Sequence, residues 1–168
     1  MQKTILFLTV ILLGYPTMAQ PTTSNQSKTM KTLQEENKAV VLRFNKEFIE
    51  QGNMKSFKEL VGDDVINHAA PAGTPSGPES MRYFIIEVLR KGFPDIKVEI
   101  FDQVAEGDMV STRKALHATH SGEFMGIPPT NKKVTFQVID MVKIRDGKYV
   151  EHWGISNIPE VMKTLTEK

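Results

Sequence analysis

The sequence predicts one domain of the α+β class, in which N-terminal helices pack on a curved antiparallel sheet. Two observations support this fold class. Apolar residues recur at helical spacing up to about residue 91, and from about residue 96 they alternate with the period of two that strands show. The chain has 168 residues, of which 40% are hydrophobic, so it can form one ordinary core and has no room for a second domain.

Three helices are predicted before the sheet and one after it. They cover residues 35–51, 54–60, 79–91 and 159–165. Gly52 and Gly92 follow the first and third of these segments and are typical helix stop signals. A short extended piece and a loop rich in proline and glycine, residues 71–78, connect the second helix to the third.

Four strands are predicted in the second half of the chain, at 96–105, 109–120, 133–145 and 149–157. Two connections, "EGD" and "RDGK", are short turns that favour antiparallel hairpins. The remaining connection, "SGEFMGIPPTN", is long and contains glycine and proline. Loops of that length usually have a functional role, so we expect one here.

The N-terminus has the pattern of a secretory signal peptide. Lys3 precedes an apolar run over residues 5–13, and small residues lead to a predicted cleavage after Ala19. An uncleaved membrane anchor is the alternative, but the apolar run is shorter than the roughly 20 residues that span a bilayer. The sequence therefore predicts a signal peptide over 1–19, a flexible polar spacer over 20–34, a domain over 35–168, and a secreted or periplasmic location.

Charge and cysteine content exclude several classes of protein. The full chain has 21 basic and 20 acidic residues, and residues 1–19 contain one Lys and no acid, so the processed chain has no formal net charge. A nucleic-acid-binding surface is therefore not expected. The chain contains no cysteine, so disulfide bonds cannot stabilise it.

One carboxylate stands in an apolar row of the third predicted strand. In "VTFQVIDMVKI" the side chains on one face are Val134, Phe136, Val138, Asp140, Val142 and Ile144. A buried, unpaired carboxylate is costly. Asp140 must therefore have hydrogen-bond partners, open onto a cavity, or be retained for its chemistry.

No metal or cofactor site is predicted. His117 and His120 are three residues apart on a predicted strand, so their side chains point to opposite faces and do not form a ligand pair. The sequence also lacks a nucleophile elbow, a phosphate-binding loop and a dinucleotide-binding glycine motif.

Three stretches resemble one known family: "NHAAPAGTPSGPESMRYF", "GFPDIKVEI" and "THSGEFMGIPPTNKKVTFQVIDMVKIRDGKYVEHW". They are similar to the SnoaL-like polyketide cyclases, also called ester cyclases, of the nuclear transport factor 2-like superfamily. The resemblance extends from about Glu35 to the C-terminus. It implies a conical α+β barrel around one deep, mainly apolar pocket, and homodimers that pair through the sheet.

The resemblance also implies two catalytic residues. Asp140 occupies the position of the acid/base residue of an intramolecular aldol ring closure, and burial beside the pocket would raise its pKa. The alternative is a carboxylate that only braces the fold through backbone or Arg partners. His120 is expected to reach the pocket mouth, where it would orient the substrate or hold Asp140, or else to cap the loop backbone.

Five residues are candidates for binding the substrate. Asn67 and His68 resemble a pocket-side stretch of the family, or simply form a turn. Arg113 fits a family position on the second predicted strand, or faces solvent or a dimer partner. Phe136 shares the face of Asp140. Trp153 is either a pocket wall or part of the core.

Only one of the neighbours His152 and Trp153 can face the pocket, because adjacent strand residues point to opposite sides. Regular alternation on the last predicted strand favours a lining row at Tyr149, Glu151, Trp153, Ile155 and Asn157. This expectation places Trp153 in the pocket and His152 outside it.

The functional hypothesis is cofactor-free acid/base catalysis on a small hydrophobic molecule, either an intramolecular aldol cyclisation or a related enolisation. Polyketide cyclases act in the cytosol, whereas this chain is predicted to be exported. A non-catalytic protein that binds a small hydrophobic ligand therefore remains an alternative, as does an isomerase or hydrolase on the same scaffold. A homodimer is expected through the outer face of the sheet, where Ile139 and Met141 lie opposite to Asp140.

Overall fold

The computed structural model describes the backbone of residues 23–167 and the side chains of residues 27–167. The α-helices are α1 (Thr23–Arg43), α2 (Met54–Leu60), α3 (Pro78–Tyr83), α4 (Arg90–Gly92) and α5 (Ile158–Thr166). Two π-helical stretches adjoin them: Phe44–Glu50 continues α1, and Phe84–Leu89 joins α3 to α4. The predicted signal peptide, residues 1–19, lies outside the described residues. Within residues 23–167, no helix is long and apolar enough to cross a membrane.

Five strands form one curved, open sheet. They are β1 (Val61–Asn67), β2 (Lys97–Glu106), β3 (Met109–Thr119), β4 (Lys133–Arg145) and β5 (Lys148–Ser156), in the order β1-β5-β4-β3-β2. The strands from β2 to β5 pair antiparallel, and β1 joins the edge parallel to β5. The α+β class with helices packed on a curved sheet is therefore confirmed, and the parallel edge strand is a correction to the antiparallel sheet that was predicted.

The turn between β4 and β5 shows why the hairpin prediction succeeded. Asp146 and Gly147 both have positive φ, at 51° and 72°. Two successive residues with positive φ are the requirement of a type I′ turn, which the Asp-Gly pair favours. This turn joins antiparallel strands whose twist it matches.

The structure differs from the predicted spacer at residues 23–34. The described part of this segment is helical and forms the first turns of α1, and its side chains over residues 27–33 are exposed. The absence of an apolar face led to the prediction of a flexible chain. Helical hydrogen bonds are local, however, so a packed helix can extend into a polar segment without burying it.

Aromatic side chains from the residue that follows α4, from the long loop and from β4 form one part of the core. The ring of Phe93 lies 5.0 Å from each of the rings of Phe124 and Phe136, in edge-on geometry. The loop approaches α4 closely enough that a Cβ on Gly122 would lie 2.0 Å from the Lys91 carbonyl oxygen. Only glycine fits this contact, which holds the loop and its Phe124 against the sheet.

Candidate functional site

A cavity of about 340 Å³ lies between the helices and the inner face of the sheet. This volume falls in the range of small-molecule binding sites. Its wall is mainly apolar and includes Phe44, Ile49, Phe84, Ile85, Leu89 and Leu116. Both π-helical stretches contribute to it, which agrees with the frequent occurrence of π-helical turns at functional sites.

Asp140 lines this cavity from the middle of β4. Its Oδ2 atom lies 2.5 Å from the Nζ atom of Lys114, and its Oδ1 atom lies 3.3 Å from Nε2 of His152. Burial acts to raise the pKa of Asp140, but the charge of Lys114 and the hydrogen bond from His152 outweigh it and hold this pKa well below its ordinary value. The raised pKa that burial alone predicted is therefore corrected, because the carboxylate contacts the ammonium group of Lys114 and the ring of His152.

Lys114 is a buried ammonium group on β3, with a side chain that is 2% exposed. It donates to Asn45 Oδ1 at 2.6 Å, and the amide of Asn45 is oriented by its own donation to the Val41 carbonyl oxygen at 2.9 Å. An ammonium group has three N–H donors, and Asn45 and Asp140 accept two of them. The third has no acceptor among residues 27–167, and Lys114 is part of the cavity lining.

His152 is held between Asp140 and Asn67. The Asn67 Oδ1 atom accepts the backbone N–H of Ala69 at 3.1 Å, and its Nδ2 donates to Ser80 Oγ at 3.0 Å. Because Oδ1 can only accept, the His152 Nδ1 atom at 2.8 Å carries a proton and donates to it. Nε2 lies 3.3 Å from Asp140 Oδ1, so the two contacts fix the plane of the imidazole ring between Asn67 and the carboxylate.

Gly154 leaves space beside the carboxylate. It faces Asp140 in the register of β4 and β5, and a Cβ on it would lie 3.0 Å from Asp140 Oδ1 and 3.2 Å from Cε1 of His152. Contacts of that length require the neighbour to move. The glycine therefore keeps Oδ1 uncrowded at the cavity wall.

A β-bulge on β5 explains why His152, and not Trp153, reaches the cavity. The register passes from Ile144 opposite Tyr149 to Lys143 opposite Glu151, so the strand contains one extra residue there. Side-chain alternation shifts at such a bulge. Tyr149 therefore lines the cavity as predicted, but His152 and Gly154 line it in place of Glu151 and Trp153.

Trp153 and His68 contact each other away from the cavity. Their rings are stacked with centroids 4.5 Å apart and planes 5° from parallel, and neither residue belongs to the cavity lining. His68 also contacts Glu151, with Nε2 3.1 Å from Oε2. The structure therefore gives these two predicted substrate-binding residues positions outside the cavity.

Arg113 also lies outside the cavity. It faces Ile139 in the register of β3 and β4, on the side of the sheet opposite to Asp140. Its Nε donates to Asp102 Oδ2 at 2.7 Å, and its guanidinium lies 4.6 Å from the centre of the Phe101 ring. This position agrees with the predicted alternative, in which Arg113 faces solvent or a dimer partner.

His120 is fully buried beside the aromatic core and does not line the cavity. Its Nδ1 accepts the backbone N–H of Thr130 at 3.3 Å, and its ring centre is 5.1 Å from that of Phe93. Burial lowers its pKa, so it is neutral near pH 7. Its position is closer to the predicted alternative of a histidine that caps the loop backbone than to a group at the pocket mouth.

The structure thus brings together Asp140, Asn67 and Phe136 from the predicted set, and adds Lys114 and His152. Asn45 supports them from behind. No group of three or more potential metal ligands occurs among the described residues. Lys114 carried a signal in the sequence, since a charged residue in the apolar row of β3 stands out as Asp140 does on β4.

Comparison with known proteins identifies the family. Residues 39–165 match the sequence profile of the SnoaL-like polyketide cyclases. The chain belongs to this family. A search of curated protein sequences found no match.

Solved structures agree with this assignment. AclR of Streptomyces galilaeus, a proposed hydroxylase, is 28% identical with a TM-score of 0.70, over 79% of this chain and 96% of its own. IdmH of Streptomyces antibioticus, a proposed polyketide cyclase, is 31% identical with a TM-score of 0.68, over 78% of this chain and 99% of its own. A SnoaL-like protein of Jannaschia sp. CCS1, at 24% identity and a TM-score of 0.71 over 81% of this chain and 95% of its own, shares the fold. The family and these neighbours support a scaffold of the cyclase or hydroxylase type.

Proposed function

We propose that this SnoaL-like protein is a cofactor-free acid/base catalyst that acts on an enolisable carbonyl compound, by aldol cyclisation or a related enolisation. The observation that carries the proposal is the position of Asp140. Among the described residues, it is the single carboxylate that lines the cavity, and the wall around it is mainly apolar. The similarity to IdmH, a proposed polyketide cyclase, supports the same reaction class.

The proposed reaction moves one proton and one negative charge. Asp140 removes a proton from the carbon next to the carbonyl group, and the charge passes to the carbonyl oxygen of the enolate. The enolate carbon then attacks a second carbonyl carbon, and the alkoxide that results takes the proton back from Asp140. The same carboxyl group therefore acts first as base and then as acid.

Lys114 gives this charge transfer its electrostatic support. An aspartate with a low pKa is a weak base, and each unit of pKa corresponds to about 1.4 kcal/mol. The transfer becomes more favourable if the negative charge stays beside the ammonium group after it leaves Asp140. The N–H of Lys114 that has no acceptor among residues 27–167 can donate a hydrogen bond to the enolate oxygen and so keep the negative charge beside the ammonium group. His152 and Asn67 orient the carboxylate.

Binding without turnover is the second candidate function, and one observation favours it. Both carboxylate oxygens of Asp140 already have side-chain partners, the ammonium group of Lys114 and the ring of His152, and its pKa is held below the range of an efficient base. In this second function, Asp140, Lys114 and His152 recognise a polar group at one end of a small apolar ligand, and the protein carries or sequesters that ligand.

The α-deuteration of 2-tetralone in D₂O separates the two functions, because it reports proton removal from a ketone without requiring cyclisation. The Asp140→Asn variant keeps the shape of the side chain and should lower the catalysed rate by about 10²-fold or more. Asp102→Asn, which alters an ion pair on the outer face of the sheet, is the matched control and should keep the wild-type rate. A wild-type rate in Asp140→Asn, or no acceleration by the wild-type protein, would contradict catalysis by Asp140.

Two further proposals concern the whole molecule. Lys3, the apolar run and the small residues before Gln20 support export with removal of residues 1–19. Exposed apolar side chains on the outer face of the sheet support a homodimer through that face: Ile139, Met141 and Ile155 are 51%, 47% and 78% exposed.

A further inference from the structure

The hydroxyl of Tyr149 is a polar group of the cavity that the proposed reaction does not use. Tyr149 lies on β5, and its side chain is 2% exposed and lines the cavity. Its ring is stacked on that of Phe44, with centroids 4.5 Å apart, so the π-helical stretch that continues α1 holds the ring in place. The hydroxyl nevertheless has no hydrogen-bond partner among residues 27–167.

This hydroxyl faces the open space of the cavity. Among the buried and half-buried side chains of residues 27–167, His120 Nε2 is the one nitrogen or oxygen that is both fully enclosed and unpaired. The unpaired Tyr149 hydroxyl is therefore not fully enclosed, and the cavity is the space that Tyr149 lines. Burial and the negative charge of Asp140 raise the pKa of Tyr149 well above its ordinary value. The hydroxyl therefore keeps its proton near pH 7 and can donate a hydrogen bond.

Lys114 offers a second unpaired donor in the same cavity. One N–H of its ammonium group has no acceptor among residues 27–167, and its side chain is 2% exposed. The two donors come from different strands, β5 and β3, and the rest of the wall is mainly apolar. A buried donor without an acceptor is costly, so a ligand oxygen at either position would be stabilised.

We infer that the cavity binds a small apolar molecule with two oxygen acceptors, as in a dicarbonyl compound, and that Tyr149 donates a hydrogen bond to one oxygen while Lys114 donates to the other. The apolar wall contacts the carbon body. The roles of the two oxygens rest on the proposed function: in an aldol cyclisation they belong to the enolate, beside Lys114, and to the carbonyl group that the enolate attacks. The Tyr149 hydroxyl then stabilises the negative charge that forms on the attacked oxygen.

Calorimetric titration with 1,4-diacetylbenzene and 4-ethylacetophenone tests the inference, because these probes share one aromatic body and differ by one carbonyl oxygen. Reversible enolisation returns each probe unchanged and the para arrangement prevents ring closure, so the titration measures binding alone. The wild type should bind the diketone about 3-fold or more tightly than the monoketone. The meta isomers, 1,3-diacetylbenzene and 3-ethylacetophenone, test a shorter distance between the two oxygens.

Tyr149→Phe removes the hydroxyl and keeps the ring that stacks on Phe44. The preference for the diketone should disappear or reverse, a relative change of about 5-fold or more, because the second carbonyl then has no donor. Tyr83→Phe is the matched control and should keep the wild-type preference, since Tyr83 is 56% exposed and lies outside the cavity lining. The Tm of Tyr149→Phe should equal or exceed that of the wild type, because the lost hydroxyl has no partner in the fold.

Three results would overturn the inference: a diketone preference that survives in Tyr149→Phe, no preference for the diketone of either isomeric pair in the wild type, or a Tm of Tyr149→Phe that is several degrees lower, which would make the hydroxyl a structural group. The titration involves no net proton transfer, so its outcome is separate from that of the deuteration assay. A protein that deuterates 2-tetralone without preferring a diketone would retain the proposed catalysis and contradict this inference. A diketone preference without deuteration would support this binding site in a carrier.

Discussion

Lys114→Met should lower the free energy of unfolding far more than Asp140→Asn. The Lys114 side chain is 2% exposed and that of Asp140 is 13% exposed, so their ion pair is almost fully shielded from water. Lys114→Met leaves the carboxylate with His152 alone, and breaking a buried pair from one side costs about 3–5 kcal/mol. For a domain of this size, we expect Tm to fall by roughly 10 °C.

Asp140→Asn is the comparison that tests this reasoning. The new amide still offers a carbonyl oxygen to Lys114, and Asn45 remains as a second acceptor, so the loss should be about 1–2 kcal/mol. The double variant Lys114→Met/Asp140→Asn should be more stable than Lys114→Met alone, because no unpaired charge remains. Urea denaturation of the wild type, the two single variants and the double variant measures the four free energies of unfolding that complete the double-mutant cycle.

The pH dependence of stability provides a second measurement on the same variants. The native pKa of Asp140 lies below its unfolded value, so its stabilising contribution is present above about pH 4 and is lost as the pH falls towards the native pKa. The wild type should lose more stability than the double variant over this acid range.

Lys143→Met is the control for removal of a more exposed lysine. It should lower the free energy of unfolding by at most about 1 kcal/mol. Equal stabilities of Lys114→Met and Lys143→Met would refute the reasoning.

Three other predictions can be checked directly. Gly154→Ala should lower the deuteration rate by about 10-fold or more with little change in stability, because its Cβ would crowd Asp140 Oδ1; an unchanged rate would mean that this side of the carboxylate is not used. Ile139→Lys should convert a dimer to a monomer in light scattering, and a monomeric wild type would contradict the proposed interface. Intact mass of the mature protein should correspond to a chain that begins at Gln20, whereas a species that begins at Met1 would contradict cleavage after Ala19.

The strands could be predicted closely because their signals are local. The predicted segment 133–145 coincides with β4, and the segment 109–120 differs from β3 by one residue. Alternating apolar residues define the inward face, and glycine-containing turns define the ends. The start of α1 was missed for the complementary reason, since a helix that extends into solvent has no apolar pattern to reveal it.

The bulge on β5 could not be predicted from the alternation of residues. Its extra residue leaves both Tyr149 and Val150 buried, and it reverses the faces of all the residues that follow in the strand. One such shift was enough to exchange the predicted positions of His152 and Trp153. The parallel pairing of β1 with β5 has a similar cause, because it depends on contacts between distant segments that carry no local signal.

Lys114, the partner of Asp140, could have been identified by the same reasoning that identified Asp140. On β3, the inward row consists of Val110, Thr112, Lys114, Leu116 and Ala118, so it also contains one charged residue. Two opposite charges on the inward rows of adjacent strands are each costly alone and much less costly together, which favours a direct pair. The loop of residues 120–132 between these strands is too long to fix their register from the sequence. In the structure, Lys114 pairs with Val138 and is therefore diagonal to Asp140. This register brings the two charged side chains together in one site.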